Sequence, residues 1–259
     1  MTLFDLTGKT AIITGATKGI GRAIASRMAE HGANVVISSR KADLCEEVAQ
    51  DINANWAKGE NEAAAMPCHI SHKEQLQSLV DQTMARFGGI DILVCNAAVN
   101  PFFGLLKDIP DSAFDKIMET NIKSNHWLCQ MASPHIATRG GGSIIIVSSV
   151  GGLRASVNLG AYGISKAADM QIARNLAFEY GPDKIRVNAI APGLVRTDFA
   201  RALWEDEERV KRQNAKTPLG RLGEADEIAG VAVMLASDAG GYVSGQTIAV
   251  DGGLTIGTS

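Results

Sequence analysis

The chain has 259 residues, of which 46% are hydrophobic and 20% are charged, and its formal net charge at pH 7 is -3. This balance excludes a disordered chain and a strongly basic nucleic-acid-binding protein. No apolar run approaches the ~20 residues that span a bilayer, so we expect no membrane or nucleic-acid partner. The four cysteines lie far apart without Cys-x-x-Cys spacing, which favours buried thiols in a reducing compartment and no metal site.

Short apolar runs recur along the chain and alternate with segments of helical period. Because the runs are apolar on both faces, they resemble strands of a parallel sheet that helices cover on each side. They predict a single α/β domain over residues 1–259, a Rossmann fold with a doubly wound, seven-stranded parallel sheet. The runs are Thr10–Ile13, Asn34–Ser38, Ala63–Met66, Asp91–Cys95, Ser143–Val147, Ile185–Ile190 and Thr247–Val250.

A glycine-rich turn follows the first predicted strand and precedes a helical pattern from Arg22 to Glu30. Gly15, Gly19 and Gly21 are spaced so that the backbone can turn tightly, approach a pyrophosphate and begin a helix whose amide end faces the anion. The spacing Gly-x-x-x-Gly-x-Gly also fits a plain structural turn. Its place between the first strand and the first helix favours a dinucleotide site.

The end of the second predicted strand indicates which dinucleotide binds. The sequence Ser38-Ser39-Arg40-Lys41 has no carboxylate where an NAD site normally holds the ribose hydroxyls. Arg40 can instead pair with a 2′-phosphate, and Lys18 adds a second positive charge. We therefore predict that NADP(H) is preferred and that NAD(H) is possible, although solvated loop charges would give the same sequence.

Two residues of a helical stretch that reaches Tyr180 carry the predicted chemistry. Tyr162 follows Ser149 by thirteen residues, and Lys166 lies four residues further, so phenol and ammonium share one helix face. A free tyrosine has a pKa near ~10, and Lys166 and an oxidised nicotinamide ring would both favour the phenolate. We predict Tyr162 as the acid/base and Ser149 as the group that restrains the substrate oxygen. Alone, such a pair is more often a surface contact.

In order and spacing, these motifs resemble the short-chain dehydrogenase/reductase family over essentially the full chain. The resemblance implies an oxidoreductase that acts on a CH–OH group of a small carbonyl or alcohol substrate. It also implies a homotetramer with interfaces at the helix of Phe178 and at the segment from Gly241 to Gly253. The motifs that carry it are the glycine loop, Asn96-Ala97-Ala98, Ser149, Tyr162, Lys166 and Pro192-Gly193.

The resemblance implies further roles at matched positions. Asn121 would bind a water that links Lys166 to bulk solvent in a proton relay; as a plainer alternative, its amide only satisfies backbone groups inside a helix. Asn96 would help to hold the central strand and the adenosine side of the cofactor. Val195 and Thr197 would grip the nicotinamide carboxamide. The other implied cofactor positions are Thr17, Ile20, Ser39, His69, Ile70, Ala97, Ala98, Tyr162, Lys166, Pro192 and Gly193.

Several segments resemble one branch of that family, the NADPH-dependent carbonyl and retinal reductases. They include Ser38–Lys41, Cys68-His69, Asn96–Gly104 and Leu203-Trp204. His69 stands where the wider family commonly has an aspartate that contacts adenine, a departure that the branch shares. The chain ends Gly-Thr-Ser rather than in a Ser-Lys-Leu peroxisomal address, so we expect a cytoplasmic, bacterial-type enzyme.

The substrate end of the site is predicted to be mostly apolar. A lid over residues 197–220 follows the last central strand and contains a charged, helix-like segment from Trp204 to Gln213. The lining predicts a ketone or aldehyde with an apolar or aromatic flank, although these side chains could instead pack the lid or a subunit contact. Arg154 keeps a 3-oxoacyl-thioester reductase open, and a cofactor-binding regulator without turnover is a third alternative. The predicted substrate residues are Phe103, Gly151, Leu159, Leu194 and Trp204.

Overall fold

The computed structural model describes residues 2–200 and 204–257. Its strands are β1 (Thr10–Thr14), β2 (Asn34–Ser38), β3 (Ala63–Ala65), β4 (Ile92–Cys95), β5 (Gly142–Val147), β6 (Ile185–Pro192) and β7 (Thr247–Val250). All neighbouring strands pair in parallel, and the sheet has the order β3-β2-β1-β4-β5-β6-β7. This confirms the predicted doubly wound seven-stranded sheet. The chain crosses from one half of the sheet to the other between β3 and β4, so the strand order reverses between β1 and β4.

Helices cover both faces of the sheet. They are α1 (Gly19–Glu30), α2 (Ala42–Asn55), α3 (Lys73–Phe87), α4 (Asp111–Ile117), α5 (Ser124–Thr138), α6 (Gly160–Tyr180), α7 (Glu207–Lys216) and α8 (Ala225–Ala236). Within residues 2–200 and 204–257, every helix is too short or too polar to traverse a lipid bilayer.

Apolar side chains fill two layers, one on each face of the sheet. In β1, Ile13 belongs to the layer beneath α1, α2 and α8, whereas Ile12 belongs to the layer beneath α3, α5 and α6. Successive strand residues point to opposite faces, so a strand that is buried on both faces must be apolar at every position. The near-continuous apolar runs of the sequence have this cause.

Two local features differ from the sequence-based expectation. The charged helix α7 covers Glu207–Lys216 rather than residues 204–213, because Glu207 and Glu208 favour its positive amino end and Lys216 its negative carboxyl end. Between α4 and α5, residues Met118–Lys123 form a π-helical turn. Such turns add a residue to a helix and often occur at functional sites. This one contains Asn121.

Candidate active site

A cleft of about 1120 Å³ opens at the carboxyl ends of the central strands. Its wall includes Gly15 after β1, Asn96 after β4, Ser148 after β5 and Pro192 at the end of β6. Ligands of open α/β sheets bind where the strand order reverses, and the cleft spans that point. Every residue predicted from the sequence to bind the cofactor lies in this wall.

Three glycines shape the turn between β1 and α1. Gly15 and Gly19 have φ angles of +65° and +54°, in the left-handed region that side chains disfavour. A Cβ on Gly21 would overlap the carbonyl oxygen of Gly15, so the turn and the helix can pack this closely only without a side chain there. The first turn of α1 has no acidic residue, and no side chain caps its amide groups. The amide end of α1 therefore fits a phosphate group.

A hydrogen-bonded clamp holds this turn against β4. The Thr14 hydroxyl accepts hydrogen bonds from the backbone N–H groups of Asn96 (3.0 Å) and Ala97 (3.1 Å). In return, the Asn96 side-chain amide donates to the carbonyl oxygens of Thr14 (2.9 Å) and Gly15 (3.2 Å). Asn96 thus fixes the shape of the glycine turn from the neighbouring strand. Sequence reasoning did not single out Thr14, which closes the clamp from the other side.

Cations surround the end of the cleft near β2. Lys18 and Arg40 are exposed, and both lie in the cleft wall. Among the described residues of that wall, Asp198 is the only one that carries a carboxylate. The potential in the cleft therefore attracts negatively charged groups.

His69 lies in the same wall and packs edge to face on His72, with ring centroids 4.7 Å apart. Burial lowers the pKa of His69, and electrostatic interaction with His72, Lys116 and Arg40 lowers it further. His69 therefore adds little positive charge at neutral pH. Within the described residues, no three His, Cys, Asp or Glu side chains are grouped as metal ligands would be.

Ser149, Tyr162 and Lys166 meet at the other end of the cleft. Ser149 follows β5, and its Oγ accepts a hydrogen bond of 3.0 Å from the Gly151 N–H. Tyr162 and Lys166 lie one turn apart on α6, with the ammonium 5.7 Å from the centre of the phenol ring. The Ser148 hydroxyl, which donates to the Lys166 carbonyl at 2.7 Å, fastens α6 to the end of β5.

Lys166 is only 2% exposed, and its ammonium has two buried partners. It donates to the Val147 carbonyl oxygen at 2.9 Å and forms an ion pair of 2.9 Å with Asp169. Asp169 is fully buried and also accepts a hydrogen bond of 2.9 Å from the Asn125 side chain. Sequence reasoning missed Asp169 and Asn125. An acidic residue three positions after the lysine, on the same helix face, was the available signal.

In the protein without a bound cofactor, the pKa of Tyr162 is raised above its ordinary value, so Lys166 does not by itself produce the lowering that the sequence predicts from Lys166 and an oxidised nicotinamide ring together. Burial of the phenol raises the pKa most strongly, and the negative charge of Asp169 raises it further. Lys166 and the contact with Ser149 act in the opposite direction without prevailing. In the protein without bound ligands, Tyr162 is therefore a protonated phenol at neutral pH.

Asn121 lies behind the cleft, fully buried in the π-helical turn. Its side chain accepts a hydrogen bond from the Val99 N–H (2.8 Å) and donates to the Val99 carbonyl (3.0 Å) and to the Ser165 hydroxyl (3.1 Å). The backbone carbonyl oxygen of Asn121 accepts a hydrogen bond of 2.8 Å from the Asn125 side chain, which also donates to Asp169. The π-helical turn is thus connected to Lys166 through Asn125 and Asp169.

The predicted substrate residues separate into two groups. Phe103, Gly151, Leu159 and Leu194 lie in the cleft wall. Trp204 does not belong to that wall, and its indole N–H donates to the Thr197 carbonyl oxygen at 2.8 Å. Leu203, its neighbour in the resemblance, lies outside the described residues. The wall also includes side chains that the sequence did not predict as substrate residues, among them Phe199, Gln213 and Lys216.

Comparison with known proteins identifies the family. A family model described as Enoyl-(Acyl carrier protein) reductase matches residues 15–255. The Bos taurus protein Dehydrogenase/reductase SDR family member 4 is 41% identical over 249 residues, which cover 96% of this chain and 88% of the relative. The chain belongs to the short-chain dehydrogenase/reductase family.

Solved structures resemble this short-chain dehydrogenase/reductase over almost its whole length. A 7 alpha-hydroxysteroid dehydrogenase complexed with NADH and 7-oxo glycochenodeoxycholic acid is 37% identical, with a TM-score of 0.92 and coverage of 97% of this chain and 96% of that one. A gluconate 5-dehydrogenase from Burkholderia cenocepacia J2315, in complex with NADP and tartrate, is 32% identical, with a TM-score of 0.93 and coverage of 99% and 98%.

Family membership confirms the resemblance recognised in the sequence. This short-chain dehydrogenase/reductase is an oxidoreductase that acts on CH–OH groups with a nicotinamide cofactor. The alternative of a regulator without turnover is therefore set aside.

Proposed function

We propose that this enzyme interconverts a ketone or aldehyde and the corresponding alcohol, with NADP(H) as the preferred cofactor and Tyr162 as the acid/base. One observation carries the proposal. The Ser149 hydroxyl, the Tyr162 phenol and the Lys166 ammonium meet at one end of a cleft whose other end is formed by the glycine turn and two exposed cations.

The residues present fit a nicotinamide dinucleotide. The amide end of α1 and the glycine turn would hold the pyrophosphate, because a side chain on Gly21 would close this cradle. Arg40 and Lys18 would hold a 2′-phosphate, which a carboxylate at the end of β2 would repel. Val195 and Thr197 at the far end would hold the carboxamide. The two solved relatives carry NADH and NADP, so they support either cofactor.

The chain's own groups would handle the proton. The bound nicotinamide supplies or removes the hydride. In carbonyl reduction, the protonated Tyr162 phenol donates its proton to the substrate oxygen, and in alcohol oxidation the phenolate accepts one. The Ser149 hydroxyl accepts from Gly151 and lies in contact with the Tyr162 phenol, so it would hold the substrate oxygen beside that phenol. Lys166 stabilises the phenolate. Asn121 would hold a water through which protons reach Lys166 from solvent.

The proposed substrate is a carbonyl compound with an apolar or aromatic flank. The substrate end has an apolar wall that includes Leu159, Leu194 and Phe103. The centre of the Phe199 ring lies 6.3 Å from the centre of the Tyr162 ring. The lid over residues 197–220 would cover this end, because Phe199, Gln213 and Lys216 in the wall belong to it.

A 3-oxoacyl thioester is the second candidate substrate, and Arg154 favours it. This side chain is half-buried in the cleft wall, where Nη1 donates to the Leu254 carbonyl oxygen at 2.7 Å. That bond uses one of its five N–H donors, so the guanidinium can still bind an acidic or carbonyl-rich substrate. The Arg154→Ala variant should lose about tenfold in kcat/KM with the thioester and change little with a neutral ketone.

The test of the reaction is NADPH oxidation by the purified enzyme with an aromatic ketone, an aliphatic ketone and a 3-oxoacyl thioester. The Tyr162→Phe variant should lose about 10²- to 10⁴-fold in kcat on any active substrate, because the acid/base is gone. The matched control is Tyr180→Phe, at the far end of the same helix. A Tyr162→Phe enzyme that turns over at the control's rate would remove Tyr162 from the mechanism.

We propose that the enzyme assembles as a homotetramer. Phe178 on α6 is 91% exposed, and Tyr242 in the segment from Gly241 to Gly253 is also fully exposed, so both predicted interfaces present aromatic side chains. Sedimentation should give a tetramer, and Phe178→Glu should give a smaller species. The four buried, unpaired cysteines support a reducing compartment such as the cytoplasm, which cell fractionation would test.

A further inference from the structure

The ion pair between Lys166 and Asp169 is the most deeply buried charge pair in the described part of the chain. Both side chains are at most 2% exposed, and their charged atoms are 2.9 Å apart. The third partner of the cluster, Val147, contributes a backbone carbonyl, which can accept a hydrogen bond but carries no net charge. Asp169 is therefore the group that compensates the charge of Lys166.

Asp169 is itself held in place by the helix on its other side. The side-chain amide of Asn125 on α5 donates one hydrogen bond of 2.9 Å to Asp169 Oδ1 and another of 2.8 Å to the backbone carbonyl oxygen of Asn121. Both of its amide hydrogens are therefore used. Asp169 Oδ2 is left for Lys166. The carboxylate thus has one oxygen for the amide and one for the ammonium, which fixes its orientation between α5 and α6.

Elementary electrostatics makes such a partner necessary. An isolated ammonium that is buried in the protein interior loses its hydration, and the side chain then tends to release its proton. A neutral Lys166 amine could not stabilise a phenolate on Tyr162. In the intact structure, Asp169 and Tyr162 together outweigh the effect of burial, and the pKa of Lys166 is raised above its ordinary value.

We propose that Asp169 is a positioning residue that keeps the Lys166 ammonium charged and fixed between β5 and the Tyr162 phenol. The proposal deepens the proposed function and rests on it, because Lys166 acts there on Tyr162. Asp169 does not need to touch cofactor or substrate: its support of the phenolate passes through Lys166, whereas its own charge opposes the phenolate.

Few other titratable groups face this pair. On α6 itself the neighbour is Tyr162, and from β4 the thiol of Cys95 faces both charges. A hydrogen bond with the neighbouring Cys129 thiol of α5, together with burial, raises the pKa of Cys95, so this thiol stays neutral and cannot replace the carboxylate. The proton equilibrium of Tyr162 therefore reports mainly on the charge of Lys166.

The direction in which the pKa of Tyr162 moves when Asp169 is removed shows whether Lys166 needs Asp169 to stay charged. Asp169 lies near enough to oppose the phenolate, so removing its charge while Lys166 stayed charged would lower the pKa of Tyr162. If removing Asp169 instead allows Lys166 to become neutral, the phenol loses its positive neighbour and its pKa rises. If Asp169 had a purely structural role, its removal would not raise the pKa of Tyr162.

The experiment titrates Tyr162 directly in the protein without cofactor. The chain has three tyrosines, so a Tyr180→Phe/Tyr242→Phe parent leaves Tyr162 as the only phenol, and its ionisation is followed by near-ultraviolet difference absorbance. Adding Asp169→Asn should raise the pKa of Tyr162 by about one unit. A fall, or no change, would overturn the proposal. Glu208→Gln is the matched control, because it breaks an exposed Lys–Glu pair of the same i,i+3 spacing and should leave Tyr162 unchanged.

A second variant covers the case in which Asp169→Asn does not fold. The Lys166→Gln/Asp169→Asn protein contains no unpaired buried charge and so avoids that source of instability. Its Tyr162 pKa should also lie above the parent's, and a value equal to the parent's would overturn the proposal. If the double variant folds and Asp169→Asn does not, that difference shows that the buried Lys166 ammonium requires the Asp169 carboxylate.

Turnover gives an independent reading. In alcohol oxidation, the pH above which kcat/KM reaches its plateau should move upward in Asp169→Asn. Failure of the parent to oxidise any alcohol or reduce any ketone would refute the proposed function alone, since the absorbance titration needs no turnover.

Discussion

The two ends of the cleft are built from different materials. At the glycine turn, the ligand-facing groups are backbone amides and the exposed side chains of Lys18 and Arg40. At the Tyr162 end, they are side chains that depend on a second, buried layer, in which Asp169 and Asn125 hold Lys166. The first end recognises charge and shape, whereas the second must control a proton. Because proton affinity depends on burial and neighbouring charge, only the second end needs a protected interior.

This difference determines what mutations should do. A change in the exposed cations should alter ligand preference without affecting the fold. A change in the glycine backbone should abolish binding, and a change in the buried layer should alter both stability and pH dependence. Three measurements test this difference between the two ends of the cleft, and a fourth tests a surface ion pair outside it.

The largest effect is expected from Gly21→Ala. The new Cβ would overlap the Gly15 carbonyl oxygen, so the phosphate cradle must deform, and NADPH affinity should fall by about a hundredfold or more. Fluorescence titration with NADPH measures this. Gly230→Ala in α8 is the matched control, because that helical glycine is exposed with open space around it, and alanine there should stabilise the helix by about 0.5–1 kcal/mol. Equal affinities in the two variants would contradict the steric argument.

Arg40→Asp should come next in size. A carboxylate at this position repels a 2′-phosphate and accepts hydrogen bonds from ribose hydroxyls, so the ratio of kcat/KM for NADPH over NADH should fall about 10- to 100-fold. Steady-state kinetics with both cofactors measures the ratio. Lys41→Asp changes the neighbouring exposed residue, which lies outside the described cleft wall, and should leave the ratio nearly unchanged. An unaltered ratio in Arg40→Asp would place the phosphate elsewhere.

The pH dependence should distinguish the two reaction directions. A group whose pKa is raised stays protonated below that pKa, and burial raises the pKa of Tyr162 above its ordinary value. Carbonyl reduction, which needs the protonated phenol, should keep a constant kcat/KM from about pH 6 to about pH 8 and fall only at alkaline pH. Alcohol oxidation should rise by up to about tenfold per pH unit until the phenolate forms. A reduction rate that falls within the neutral range would refute this assignment.

The smallest effect concerns stability alone. Lys58 and Arg27 hold the pKa of Glu30 at about 2, compared with an ordinary value of 4.5. A carboxyl with a depressed pKa stabilises the fold above its unfolded pKa, and this contribution is lost as the pH falls from about 4.5 to about 2. Glu30→Gln should therefore unfold in less urea at pH 7 than the parent and lose less stability on acidification. Glu47→Gln, at an exposed position on α2, should unfold at the same urea concentration as the parent. Both variants should keep the activity of the parent.

The sequence was most informative where structure follows from local pattern. The apolar runs predicted all seven strands, including β2 and β7 with their observed limits, because a strand buried on both faces leaves a continuous signal. Limits were less accurate for α7, whose charged residues have little apolar periodicity, and the π-helical turn around Asn121 left no local signal. Asp169 was visible three residues after Lys166, but nothing in the sequence distinguishes a buried acid from one on a solvated helix face.

Sequence alone was enough to predict the sheet, the glycine turn, the family and the cofactor-facing residues of the cleft wall, because these depend on residue spacing along single elements. The groups that surround Lys166 and the direction in which the pKa of Tyr162 moves became evident only from the folded chain. Burial and charge compensation arise from residues 19 to 71 positions apart in the chain that meet through packing: Val147, Asn125 and Cys95 reach Lys166 or its partner from β5, α5 and β4. Such distances are not encoded in local pattern, and they decide whether a tyrosine four residues before a lysine is a surface phenol or a half-buried acid in a cleft.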